Sequence, residues 1–186
     1  MEKPISPSDS PNWVEKNSPL GLYVHIPFCR SKCNYCAFIS APPRNEEDID
    51  HYIEAVCTHL IEGGKVAGSR PLKTIYLGGG TPSLVGADRI VRIINSIQKT
   101  FPVLLDAEIT LEANPESSSL ELFQILHAIG INRISLGAQS FQDTELMQLG
   151  RVHTTRQIVL AIEIARQAGI ENVSLDLIFA LPSHSL

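Results

Sequence analysis

Three of the four cysteines in the chain fall within eight residues, in the loop Cys29-Arg-Ser-Lys-Cys33-Asn-Tyr-Cys36. Thiolates are soft ligands that suit iron–sulfur clusters and zinc. A fully ligated cluster usually takes four cysteines, so three in a Cx3Cx2C spacing would leave one iron open to a small molecule. A disulfide framework would require an even number of cysteines spread along a short secreted chain. The spacing therefore indicates metal or redox chemistry.

A structural zinc site is the alternative interpretation of this loop. Zinc typically takes four ligands, often as two Cx2C-type pairs, so His25 would have to complete the set from the strand that precedes the loop. That position is awkward for a ligand, and the spacing favours a cluster. The fourth cysteine, Cys57, stands among apolar neighbours in a predicted helix, a setting typical of a buried structural thiol.

Polar or glycine residues also follow the later apolar segments of the chain. Three glycines precede Thr81, and glycine lets a backbone amide approach a ligand closely. The GK[ST] ending of a nucleotide-binding P-loop is missing. Side chains suited to a charged cofactor stand at or near the ends of the next segments: Glu112, Gln139, Arg151 and Asp176. Each alone fits a turn or a surface charge, but their recurrence predicts one shared site.

Short apolar runs alternate with helical patterns after residue 20. This alternation indicates βαβ units and a parallel sheet, and therefore an α/β fold. An eightfold barrel needs about 250 residues, so 186 residues fit a partial barrel, truncated after about the fifth strand. Strands are predicted at 22–26, 74–77, 108–111, 133–136 and 173–179. Helices are predicted at 46–61 (with Asn45 as N-cap and Gly63 as stop), 88–99, 119–129, 143–149 and 154–168.

The bulk properties restrict the class of protein. A formal net charge of −5 without a block of Lys or Arg argues against a nucleic-acid partner. No apolar run reaches the roughly 18 residues of a membrane span, and the predicted location is the cytoplasm. Residues 1–20, rich in proline and serine, predict a flexible N-terminal extension. Residues 21–186 are predicted to form an incomplete core, because the fifth strand has no helix to cover it; a compact five-stranded domain is the alternative.

The segments LYVHIPFCRSKCNYCAF, GGGTPS, LEANP, NRISLGAQSF, LGRVH and SLDLIFALP together resemble the radical S-adenosylmethionine (SAM) proteins. The resemblance is to the branch shared by oxygen-independent coproporphyrinogen III oxidase and the heme chaperone HemW. It implies a partial radical SAM (βα)6-type barrel that lacks its last strand and a C-terminal domain. It also implies a [4Fe–4S] cluster that binds SAM, and a reducing electron donor.

Matched motif by motif, the resemblance implies that Cys29, Cys33 and Cys36 ligate the cluster. Positions that match SAM contacts of the family are Tyr23, Tyr35, Gly79, Gly80, Thr81, Glu112, Gln139, Arg151 and Asp176. Some of these serve a second SAM molecule in the oxidase, so the number of SAM molecules stays open.

The residues after Cys36 indicate the branch. The oxidase typically has a further cysteine in a CxC arrangement, whereas Ala37 and Phe38 follow here. HemW-type proteins typically have CDF, which Phe38 matches and Ala37 does not. The resemblance therefore implies a heme chaperone that carries heme to an unidentified acceptor protein. The alternative is the oxidase, an enzyme that decarboxylates coproporphyrinogen III in heme biosynthesis.

Overall fold

The computed structural model describes residues 18–181. Residues 1–17 of the predicted extension lie outside the described residues, as do residues 182–186, so the division at residue 20 stays a prediction. Five strands form one parallel sheet in the order β1-β2-β3-β4-β5, which confirms the predicted α/β fold. The strands are β1 Leu20–Ile26, β2 Leu72–Gly79, β3 Val103–Ala113, β4 Arg133–Gln139 and β5 Asn172–Leu177.

Helices connect successive strands, and their buried residues join those of the sheet in one apolar core. They are α1 Glu46–Ala67, α2 Ala87–Thr100, α3 Leu120–Ala128, α4 Asp143–Gln148 and α5 Thr155–Gln167. Asn45 caps α1 as predicted, because its side chain accepts a hydrogen bond from the backbone NH of Asp48 at 2.8 Å. Within residues 18–181, no helix is both long and apolar enough to cross a membrane.

Helix α1 is longer than predicted, because Gly63 does not end it. The helix continues through Gly63 and Gly64, and its C-cap is Gly68 at φ 64°. A Cβ atom on Gly64 would lie 2.3 Å from Thr100 Cγ2 at the end of α2. An interior glycine costs a helix about 1 kcal/mol, but at this position it allows the two helices to approach closely. Tertiary packing therefore outweighs the local preference for a stop.

The two faces of the sheet have opposite character, because successive strand residues point to opposite sides. On β3, Ile109 and Leu111 are buried in the core beneath the helices. Thr110 points to the other face, where it accepts a hydrogen bond from Arg133 Nη1 of β4 at 3.2 Å. Glu112 shares that polar face and stands near the carboxyl end of β3. The polar face therefore leads up to the ends of the strands, where the cysteine loop lies.

Candidate functional site

A cavity of about 650 Å³ opens at the carboxyl ends of the strands, beside the cysteine loop. This volume falls within the range of sites that bind small molecules and cofactors. The cavity brings together all three predicted cluster ligands and all but one of the predicted SAM contacts. The predicted residues that line it are Cys29, Cys33, Tyr35, Cys36, Gly79, Gly80, Thr81, Glu112, Gln139, Arg151 and Asp176.

Tyr23 is the predicted SAM contact that does not line the cavity. Its ring stacks on that of Tyr76, with ring centroids 5.9 Å apart, and Tyr76 does line the cavity. The Tyr23 hydroxyl lies 3.1 Å from His25 Nδ1. Tyr23 therefore reaches the cavity wall through Tyr76, while its role as a direct SAM contact stays a prediction.

Hydrogen bonds tie the start and the middle of the cysteine loop to the rest of the fold. The Cys29 NH donates to the Ala41 carbonyl at 3.2 Å, which holds the first ligand against the chain that leaves the loop. In the middle of the loop, the Asn34 NH donates to the Leu149 carbonyl at 3.2 Å, and its Nδ2 donates to the Gln148 carbonyl at 3.0 Å. The loop is thus anchored to the segment that carries Arg151.

The glycine run at the end of β2 lies directly against the cysteine loop. A Cβ atom on Gly80 would lie 2.5 Å from the Phe28 carbonyl oxygen and 3.0 Å from Cys29 Sγ. The next residue, Thr81, is buried; its NH donates to the same Phe28 carbonyl at 2.7 Å, and its hydroxyl donates to Cys29 Sγ at 3.7 Å. The missing side chain at position 80 therefore allows this close approach.

Glu112 is held in place by two donors from β2. Its Oε1 accepts a hydrogen bond from the Tyr76 hydroxyl at 2.8 Å, and its Oε2 accepts one from the Gly79 NH at 2.8 Å. A Cβ atom on Gly78 would lie 2.9 Å from the Glu112 carboxyl carbon, so the glycine makes room for the carboxylate. The carboxylate is fixed at the cavity wall, with lone pairs left to accept from a ligand.

Arg151 is one of three cationic residues that line the cavity, with Arg30 and Lys32 of the cysteine loop. Its Nη2 donates to Asn114 Oδ1 at 2.6 Å and to the Gly137 carbonyl at 3.0 Å, and its Nη1 donates to Cys33 Sγ at 3.5 Å. Its Nε is buried and, within residues 18–181, has no hydrogen-bond partner. An unsatisfied buried donor is costly, so a bound acceptor such as a carboxylate would relieve that cost.

The far wall of the cavity is formed by β4 and β5. Asp176 accepts a hydrogen bond from the Ser135 hydroxyl at 3.2 Å, and Ser174 donates to Ser135 at 3.2 Å. Gln139 ends β4 in the left-handed region at φ 67°, where non-glycine residues are uncommon. Strained backbone of this kind is concentrated at binding sites, and here it places the Gln139 side chain on the cavity wall.

A pair of side chains, His153 and Glu116, packs at the cavity wall. The His153 side chain is fully buried, with Nδ1 3.2 Å from Glu116 Oε2 and Nε2 3.2 Å from the Ala138 carbonyl oxygen. Burial acts to raise the pKa of Glu116, but the hydrogen bond from His153 and the charge of Arg151 outweigh it and hold the pKa below its usual value. Glu116 therefore stays ionised at the cavity wall near neutral pH.

Tyrosine side chains around the site are expected to lose their protons at a higher pH than a free tyrosine. Burial, together with the hydrogen bond that it donates to Glu112, raises the pKa of Tyr76 to about 12. Because the unfolded-state pKa is about 10, the stability contributed by the neutral phenol is present below pH 10 and is lost as the pH rises toward 12.

The phenolate absorbance difference between the wild-type apoprotein and Tyr76→Phe should have a midpoint near pH 12. Tyr23→Phe is the matched control, with a smaller upward shift; a midpoint near 10 for Tyr76 contradicts this arrangement.

The zinc alternative requires a fourth ligand, and His25 is engaged elsewhere. Its Nε2 lies 3.2 Å from the Ile39 carbonyl oxygen, and its Nδ1 faces the Tyr23 hydroxyl. Cys57 is partly buried, with its sulfur 3.9 Å from the Arg92 carbonyl oxygen of α2, so it packs between α1 and α2 rather than at the cavity. Within residues 18–181, no three His, Cys, Asp or Glu side chains are grouped as ligands of a single metal ion.

The residues of the cavity fit an iron–sulfur cluster with SAM beside it. Three free cysteines line one cavity, and cluster irons are held by cysteine thiolates. The glycine at position 80 lets β2 lie close to Cys29 Sγ, which lines the cavity. The Arg151 Nε, which has no partner within residues 18–181, is a donor for an anionic group. Glu112 supplies the acceptors that an amine or ribose hydroxyls need.

Several residues of the site were not predicted from the sequence. Asn114 sits in an Asn-Pro pair that is typical of a turn, and Tyr76 and Ser135 stand within strands where nothing in the local pattern marks them. The alternation of side chains along β2 and β4 is the signal that could have found them, because it places both on the same face as Glu112.

The chain is similar to known proteins of one superfamily. The family model of the radical SAM superfamily matches residues 23–186. The chain is 39% identical over 171 residues to a heme chaperone HemW of Escherichia coli (strain K12), covering 92% of this chain and 45% of that protein. It is 38% identical to a heme chaperone HemW of Bacillus subtilis (strain 168), covering 88% and 43%.

Among solved structures, the coproporphyrinogen III oxidase HemN from Escherichia coli, a radical SAM enzyme, superposes with a TM-score of 0.85 at 30% identity. The match covers 91% of this chain and 39% of that one, so the chain spans less than half the length of these relatives. An iron–sulfur cluster and SAM follow from the family. The chain belongs to the radical SAM superfamily.

Proposed function

We propose that this chain is part of a heme chaperone of the HemW type, which carries heme to an acceptor protein and holds a [4Fe–4S] cluster with SAM. The convergence of Cys29, Cys33 and Cys36 with Arg151 and Glu112 in one cavity carries the proposal. The relatives named heme chaperone HemW support the choice of cargo. The cytoplasmic location, the acceptor and a reducing electron donor belong to the same proposal.

Different residues of the chain would bind the cluster and SAM. The three thiolates would hold three irons and leave the fourth open for the SAM amine and carboxylate. Arg151 would pair with that carboxylate through its Nε, which has no partner among the described residues, and Glu112 would accept hydrogen bonds on the opposite side. When bound, the cluster and SAM would supply one-electron chemistry that the protein only orients.

Oxidative decarboxylation of coproporphyrinogen III is the second candidate function. The likeness to HemN favours it, because the TM-score of 0.85 extends over 91% of this chain. The residues after Cys36 favour the chaperone, because Ala37 and Phe38 stand where the oxidase typically has its CxC pair. The two functions share the cavity and differ in what happens to the tetrapyrrole.

Anaerobic reconstitution of the full-length protein separates the two functions. The chaperone is expected to show iron–sulfur absorbance, to bind heme with a Soret band, and to leave coproporphyrinogen III unchanged in the presence of SAM and a reductant. SAM-dependent release of carbon dioxide from coproporphyrinogen III would assign the oxidase instead. Absence of both the cluster and the heme band would exclude the chaperone.

A further inference from the structure

We propose that Asn114 is a positioning residue that couples the SAM-binding side of the cavity to the cluster cysteines. This inference rests on the proposed cluster and SAM site. Asn114 follows β3 in an extended conformation, at φ −107° and ψ 151°, and its side chain lies between two other residues of the cavity wall.

The amide of Asn114 uses both of its ends. Its Oδ1 accepts a hydrogen bond from Arg151 Nη2 at 2.6 Å, and its Nδ2 donates to Thr81 Oγ1 at 3.0 Å. An amide is the side chain that suits this place, because it carries an acceptor and a donor on one rigid plane. A carboxylate would lack the donor for Thr81, and a hydroxyl would be too short to span the two partners.

Each partner of Asn114 continues to a different predicted cluster ligand. Thr81 donates its hydroxyl hydrogen to Cys29 Sγ at 3.7 Å, and Arg151 Nη1 donates to Cys33 Sγ at 3.5 Å. One amide therefore orients both donors that face the sulfur atoms. Hydrogen bonds to the sulfurs are among the features that set the potential of an iron–sulfur cluster, since a donor stabilises the added negative charge of the reduced form.

The backbone holds Asn114 firmly enough for this task. The Ser117 NH and the Ser117 hydroxyl both donate to the Asn114 carbonyl, at 3.0 Å and 2.9 Å, and the Ser118 hydroxyl donates to the same oxygen at 2.9 Å. These bonds do not involve the Asn114 side chain. The residue before a proline favours extended backbone, so alanine at this position keeps the main-chain conformation.

Gly137 of β4 packs closely against the Asn114 amide. A Cβ atom on Gly137 would lie 2.8 Å from Asn114 Oδ1, 3.0 Å from Gln139 Nε2 and 3.4 Å from Arg151 Nη2. The glycine is therefore required for the Asn114–Arg151 contact. Gly137→Ala perturbs the contact without removing any polar group, which gives a second and independent route to the same test.

The test uses the full-length protein, reconstituted anaerobically, with the midpoint potential of the cluster and the dissociation constant of SAM as readouts. Asn114→Ala is expected to keep its iron and sulfide, to shift the potential to a more negative value, and to bind SAM about 10-fold more weakly, the lower end of what outer-shell partners contribute at metal sites. Gly137→Ala should shift both readouts in the same direction. Asn95→Ala, an exposed amide on α2, is the matched control and should match the wild type.

A double-mutant cycle isolates the coupling. Thr81→Val removes the donor to Cys29, so its potential shift should add only in part to that of Asn114→Ala, because one of the two routes of the amide passes through that hydroxyl. Fully additive shifts would overturn the inference. So would Asn114→Ala and Gly137→Ala variants that keep the wild-type midpoint potential and bind SAM with a dissociation constant within twofold of the wild type. A wild-type protein without any cluster would contradict the proposed function itself, and that outcome is visible before any variant is compared.

Discussion

Replacing Cys33 by alanine in the full-length protein is expected to abolish the iron–sulfur absorbance that the wild-type protein gains on anaerobic reconstitution. Cys33 lines the cavity together with Cys29 and Cys36, and its sulfur accepts a hydrogen bond from Arg151. Only two thiolates would be left in the loop, fewer than a cluster needs. Iron and sulfide content should fall by at least about tenfold, the loss that even outer-shell partners of a metal can cause.

Cys57→Ala is the matched control for this experiment. Its sulfur contacts the Arg92 carbonyl between α1 and α2, and Cys57 does not line the cavity. The control variant should keep the wild-type absorbance and iron content, with at most a modest loss of stability. A normal cluster in Cys33→Ala would refute the ligand assignment. An equal loss of cluster content in Cys33→Ala and Cys57→Ala would contradict the distinction between the cysteines of the loop and Cys57.

The elements of the fold were predictable where the sequence pattern is local. Ile90, Ile93, Ile94 and Ile97 recur at helical spacing, and all four are buried on α2. Short segments rich in apolar residues likewise marked all five strands, because the strand residues that face the helices must be apolar. The cysteine loop follows β1 directly, so its place at the active edge of the sheet could be predicted from the order of elements alone.

The contacts within the site were not predictable, because they join residues far apart in the sequence. Asn114 meets Thr81 and Arg151, which are 33 and 37 positions away, and an Asn-Pro pair by itself indicates only a turn. The length of α1 has the same cause, since Gly64 is accommodated by Thr100 on another helix. Spacing identifies which groups share an edge of the sheet; only the packed structure shows which of them touch.

Gly80→Ala is expected to damage the cluster site without changing any ligand. The added Cβ would lie 2.5 Å from the Phe28 carbonyl oxygen, a backbone atom, and 3.0 Å from Cys29 Sγ. The Gly80 NH also donates to the Ile26 carbonyl at 2.8 Å, which keeps the residue from moving away. The loop must shift instead, so Cys29 leaves its position. We expect cluster content to fall severalfold and the free energy of unfolding to fall by about 1–3 kcal/mol, the usual cost of overpacking.

Gly63→Ala separates this steric effect from a general intolerance of alanine. Gly63 lies inside α1, and within residues 18–181 a Cβ there would meet only Phe101 Cζ at 3.9 Å, an ordinary contact. Alanine in a helix interior stabilises the helix by about 0.5–1 kcal/mol relative to glycine, so this variant should keep its cluster and unfold at a slightly higher temperature. Denaturant unfolding of the apoproteins and iron content after reconstitution provide the two readouts. A clash at 2.5 Å with the Phe28 carbonyl oxygen cannot be relieved by a side-chain rotation. If Gly80→Ala nevertheless retains wild-type cluster content and stability, the close approach of β2 to the cysteine loop does not shape the site.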